Sequence, residues 1–173
     1  MSPPFHDDPA YIRALAETTR RSLEAGPAPE RVILSFHGLP ERFLTAGDPY
    51  HCHCQKTARL LREAMGWTEE FAPLAFQSKF GPETWLGPAT DATIERFAAE
   101  GVKRVAVVTP CFVSDCIETL EEIGIAGREA FEAAGGETLT AVPCLNDAPE
   151  AIDMLEAIAR SELAGWIDAP AGA

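Results

Sequence analysis

The sequence predicts an α/β fold: a three-layer lobe with a four-stranded parallel sheet and helices on both faces. Two observations predict it. Four short apolar, β-branched-rich runs recur along the chain, and a segment of helical length follows each one. The runs lack strict apolar/polar alternation, as expected for strands buried on both faces. Strand–helix alternation at this spacing implies parallel βαβ units with right-handed crossovers.

An opening helix is predicted over 9–23. The first strand is RVILSF (31–36), followed by a loop and a helix over 55–65. The second is FAPLAFQ (71–77), then a Gly/Pro-rich loop, SKFGPETWLGP, and a helix over 91–100. The third is RVAVVT (104–109), with a helix over 115–134. The fourth is TLTAV (138–142), with a helix over 148–163. Gly66, Gly101 and the pair Gly135 and Gly136 lie where helices should stop, as glycine does in C-terminal caps. The sequence contains no internal repeat and no low-complexity segment.

With 173 residues the chain is long enough for one domain with a sizeable core. Residues 1–165 read as a single α/β lobe and 166–173 as a frayed tail. The 14 Lys+Arg against 27 Asp+Glu give a net charge of −13. That balance argues against general nucleic-acid binding, which needs cations for phosphates. It also disfavours capture by anionic membrane surfaces, leaving at most peripheral association. The N-terminal stretch lacks the pattern of a secretory signal, and no run approaches a membrane span. Five cysteines, an odd number, read as reduced thiols of a cytoplasmic protein, with metal ligation as the sharper alternative.

Open parallel sheets bind ligands beyond the carboxyl ends of their strands. That rule collects His37 and Gly38; Gln77, Ser78 and Lys79; Pro110, Cys111, Ser114, Asp115 and Glu118; and Pro143, Cys144, Leu145 and Asn146. The fingerprints GxGxxG, GxxxxGK[ST] and GxSxG are absent. His37 reads either as a histidine capping the sheet or as a proton acceptor near neutral pH. Asp115, Glu118 and Glu122 are spaced for one helix face. They read either as an N-cap with a capping box, or as a row of carboxylates leading to His37 for protons or a cation. The run His51-Cys52-His53-Cys54 presents both cysteines on one side only if it is extended. Cys52, Cys54, Cys111, Cys116 and Cys144 all fall on or near the rim, so they are candidates for an iron–sulfur cluster, although no standard CxxC framework completes one.

The blocks SFHGLPERFLTAGDPYHCHCQKT, FQSKFGPETWLGPAT and PCFVSDCIETLEEI resemble ferrochelatase, in the right order and spacing from about Pro9 to Asn146. The likeness is to that enzyme's C-terminal half. It implies one of two similar Rossmann-like, chelatase-like lobes, with the porphyrin in the cleft between them. It implies a lyase inserting ferrous iron, as substrate, into protoporphyrin IX to form protohaem. By the same resemblance His37 is the catalytic histidine, Glu118 its carboxylate partner, and Asp115 and Glu122 an acidic line on an inner helix that carries a π turn. His37, Glu118, Asp115 and Glu122 are thus the candidate metal-handling residues. Gln77, Ser78, Pro110, Phe112 and Ser114 are the candidate substrate-binding residues. Three departures stand out: the family's N-terminal half has no counterpart in these residues, Ala126 stands where many relatives extend the acidic line, and Cys111 stands where a small residue is usual. Two alternatives compete: a one-lobe chelatase that dimerises around a tetrapyrrole, and a haem- or metal-binding module without turnover.

Overall fold

The computed structural model describes residues 3–166, so 167–173 of the expected frayed tail lie outside the described residues. The first helix, α1 (Pro9–Glu24), opens where the Asp8 side chain accepts the Ala10 amide hydrogen at 2.7 Å, with proline at the first turn. There follow β1 (Arg31–His37), a short α2 (Glu41–Thr45), α3 (Tyr50–Met65), β2 (Leu74–Gln77) and α4 (Thr90–Ala99). The chain continues through β3 (Arg104–Val108), α5 (Ile117–Leu120), a π-helical segment (Glu122–Gly127), α6 (Arg128–Ala133), β4 (Thr138–Ala141) and α7 (Pro149–Glu162).

The four strands form one parallel sheet in the order β2-β1-β3-β4. Successive side chains of a strand point to opposite faces, and both faces here are apolar. Val32, Leu34 and Phe36 pack with Leu15, Leu61 and Met154 from the helices of one layer and with Leu145 from the loop after β4. Ile33, Val105, Val107 and Leu139 pack with Ile94, Phe97 and Phe131 from the other. Burying each such side chain contributes about 1.5–3 kcal/mol. This is why the runs read as continuous rather than alternating.

Three boundaries differ from the sequence reading. The second strand starts at Leu74, not at 71. Phe71 and Pro73 still offer their carbonyls to Val32 and Leu34 at 2.9 Å, but Pro73 has no N–H to extend the ladder. Helix α3 starts five residues early, at Tyr50, whose amide donates to the Asp48 side chain at 2.8 Å. The expected single helix over 115–134 is three pieces. The Glu121 carbonyl accepts from both Ile125 (3.0 Å) and Ala126 (2.9 Å), and the second bond is the wider π turn.

The order β2-β1-β3 has a topological consequence. The chain leaves β1 toward one edge and later returns to its other side, so the crevice between β1 and β3 is the switch point where such sheets place ligands.

Candidate functional site at the switch point

His37 is the last residue of β1 and pairs with Gln77, the last of β2. Its half-buried ring places Nδ1 at 2.7 Å from the Gly38 carbonyl oxygen. A carbonyl only accepts, which assigns the ring proton to Nδ1 and leaves the Nε2 lone pair free. The Phe112 ring tilts over it, with centroids 6.2 Å apart. Gly38 is required by close approach: a Cβ there would lie 2.8 Å from the Gln77 carbonyl oxygen and 3.2 Å from the Trp85 ring.

Glu118 sits on α5 opposite. A hydrogen bond from the Cys116 side chain and the Glu118 backbone N–H hold its carboxyl below the usual value, outweighing desolvation, and positive charge on His37 would add a smaller effect in the same direction. Glu122 opens the π segment and turns to the end of β2. It accepts the Ser78 amide (2.7 Å), the Ser78 hydroxyl (2.6 Å) and the Gln77 amide (3.3 Å). Gln77 also donates to the Glu118 carbonyl oxygen at 2.7 Å and accepts from buried Ser35 at 2.7 Å. Ser78 holds φ of +60°, a region that β-carbon-bearing residues seldom adopt, and its two bonds to Glu122 compensate.

Asp115 is not part of a common face with the two glutamates. It lies before α5, where its carboxylate accepts from the Asn146 side chain (2.7 Å), Thr119 Oγ1 (3.0 Å) and the Cys144 amide (3.3 Å). Burial alone would raise its pKa. The Asn146, Cys144 and Thr119 bonds outweigh that and lower it. Asn146 itself holds φ of +50°. The capping reading also needs correction. Cys116, not Asp115, is the N-cap, and Thr119, not Glu118, closes the capping box. The carboxylates therefore fan out to three partners: His37, the β2 end and the β4 loop.

Of the expected substrate-binding residues, Gln77, Ser78 and Phe112 join His37 in this way. Buried Pro110 accepts a hydrogen bond from the Tyr11 hydroxyl on α1, and Ser114 is exposed on the same loop. Sequence reasoning missed Ser35, Tyr50 and Thr90. Ser35 shares a 2.7 Å hydroxyl contact with Thr90, and the Tyr50 hydroxyl donates to the His37 carbonyl oxygen at 2.8 Å. The polar Ser35 inside an apolar strand run was the available signal.

The five cysteines do not fit an iron–sulfur cluster. The HCHC run is helical, and two residues on a helix face nearly opposite ways, so Cys52 is exposed and Cys54 buried. Cys144 contacts Thr109 Oγ1 at 3.5 Å, while Cys116 caps α5. Burial pushes the Cys54 and Cys144 thiols up to about 12 and Cys111 up to about 11. Among the described residues no group of three or more His, Cys, Asp or Glu side chains is arranged to hold a metal ion. The expected metal-handling set of His37, Glu118, Asp115 and Glu122 is accordingly no preformed cage.

The family model for ferrochelatase matches residues 2–163. The chain belongs to the ferrochelatase family. It is 55% identical over 166 residues to the ferrochelatase of Agrobacterium fabrum, covering 95% of this chain and 48% of that protein. The ferrochelatase of Rhizobium meliloti is likewise 55% identical, with 95% and 49% covered, and that of Mesorhizobium japonicum 48% identical, with 95% and 47% covered. The chain thus spans about half the length of the curated relatives it matches.

Proposed function

We propose that this chain, over 1–165, is the catalytic lobe of a ferrochelatase that inserts ferrous iron into protoporphyrin IX. Family membership supports the activity. The observation that carries the residue assignment is the free Nε2 of His37 at the switch point, facing a carboxylate held ionised. Insertion releases two pyrrole N–H protons and requires iron to shed water. His37 Nε2 accepts the two protons in turn, passing the first to solvent before it takes the second, and Glu118 stabilises the imidazolium formed each time. Glu118 and Asp115 have lowered pKa values, so they remain anionic at neutral pH and attract the incoming cation rather than store protons. Glu122 fixes Ser78 and Gln77 beside the ring. Gln77, Ser78, Phe112, Pro110 and Ser114 form the porphyrin-facing rim of this lobe.

The second wall of the cleft comes from a lobe outside these residues. The half-length match to the relatives and the exposed Ile117, Leu120 and Ile125 on the α5–π face support that reading. We place the enzyme in the cytoplasm, where its five free thiols stay reduced; no helix among the described residues is long and apolar enough to cross a membrane. The test is anaerobic incubation with ferrous iron and protoporphyrin IX, read as the haem absorbance, with and without the N-terminal half of a relative. Haem formed only with that half supports a two-lobe enzyme. Haem formed by a self-associated chain supports the one-lobe alternative. Tight haem binding without turnover in either assay leaves a binding module and refutes the proposal.

A further inference from the structure

In β1 the even-numbered residues Val32, Leu34 and Gly38 donate their amides to the β2 side: to Phe71, Pro73 and Gln77. The N–H and C=O of His37 therefore face the β3 side. The β1–β3 register ends at Leu34 with Val108, because β3 stops and the chain turns away. No strand remains there to pair with the two groups. Two side chains take the strand's place. Cys111 Sγ accepts the His37 amide hydrogen at 3.1 Å, and the Tyr50 hydroxyl donates to the His37 carbonyl oxygen at 2.8 Å.

Both side chains reach His37 from the wall of one apolar cavity of about 380 Å³, which Phe36, Tyr11 and Cys54 also line. Tyr50 comes from α3 and Cys111 from the loop after β3, so these two segments meet at the His37 main chain. Burial keeps the Tyr50 phenol protonated and therefore a donor. The Cys111 thiol is likewise un-ionised, since its value is raised to about 11.

We propose that Tyr50 and Cys111 are positioning residues that clamp the His37 main chain and so fix the direction of its imidazole. The inference rests on the reading of His37 as proton acceptor. The ring can keep Nδ1–H on the Gly38 carbonyl only if the peptide between residues 37 and 38 is held, and Tyr50 grips that peptide's own oxygen. The Gly38 amide, on the same peptide, donates to Gln77 at 2.7 Å, so the plane is fixed on both sides. The sequence bears on this as well: a small residue at position 111 would offer no acceptor.

The test compares the full chain with Tyr50→Phe, Cys111→Ala and Cys111→Ser by heteronuclear NMR. Cys111→Ala should speed exchange of the His37 amide about fivefold, and Tyr50→Phe should shift the His37 carbonyl resonance. Both should mix the two neutral tautomers of the ring, and Cys111→Ser, which keeps an acceptor, should restore the Nδ1–H form. In whichever assembly metallates, both disruptive variants should lower kcat about tenfold, with KM for porphyrin within about twofold. Unchanged tautomer and exchange in both Tyr50→Phe and Cys111→Ala overturn the clamp. Altered His37 signals in a protein that never forms haem uphold the clamp and refute the reaction assignment instead.

Discussion

Gly38→Ala tests whether the site depends on the close approach of β1 to the β2 end. The added Cβ would sit 2.8 Å from the Gln77 carbonyl oxygen and 3.2 Å from the Trp85 ring. Carbon–oxygen contacts normally fall near 3.3–3.6 Å, so the backbone must yield by about half an ångström. The obstacle is main chain rather than the end of a flexible side chain. Overpacking of this kind costs about 1–3 kcal/mol, and the 2.7 Å bond from Gly38 to Gln77 is weakened at the same time, by about 1 kcal/mol net. A total near 2–3 kcal/mol should lower Tm by about 5–10 °C for a chain of this size. Circular dichroism melts measure it. Gly26→Ala is the control, because a Cβ there meets nothing within 4 Å, and its effect should stay within about 0.5 kcal/mol. A Gly38→Ala melt within about 1 °C of the parent would refute the argument.

Three further predictions follow from the same contacts. Asp115→Ala removes the acceptor of Asn146, Thr119 and Cys144 and should cost about 2 kcal/mol at neutral pH by urea denaturation. Because the folded pKa of Asp115 is lowered from 3.8, its stabilisation is present above that value and lost as pH falls through the folded one. The gap between parent and variant should close in acid, and a gap that persists there contradicts the assignment. Glu122→Ala leaves Ser78, at φ of +60°, without its compensating bonds, and should destabilise by about 2–3 kcal/mol while reducing metallation; an unchanged melt would show that Ser78 is held by other contacts. With an aromatic disulfide reagent at mildly alkaline pH, Cys52 should react first. Cys54 and Cys144, raised to about 12, should react only on unfolding, and peptide mapping that finds either modified as fast as Cys52 would contradict their burial.

The sheet was legible because its strands are apolar on both faces, so RVILSF and RVAVVT could not be surface segments. The rim was legible too, since parallel topology gathers strand ends whatever their sequence separation. What misled was spacing read as ideal geometry. Asp115, Glu118 and Glu122 share a face on an unbroken helix. Here Cys116 is extended at φ −146°, and the helix widens at Glu122. That widening is the π turn the family resemblance implies, and Gly127 within it packs so close to Ile94 that a Cβ would lie 3.4 Å from it. The HCHC run misled for the opposite reason: its Asp-Pro approach and the Asp48 bond to Tyr50 start a helix there. Tyr50 escaped notice because its role is toward a peptide group, and peptide groups carry no sequence signal.

The most direct measurement is the rate of haem formation by His37→Ala in the two-lobe assembly that metallates with the parent chain. The His37 side chain supplies the free Nε2 but no core packing, so the variant should fold, with its melt close to the parent's, and form no haem above the uncatalysed rate. Near-parental haem formation by a folded His37→Ala would contradict the account at its centre.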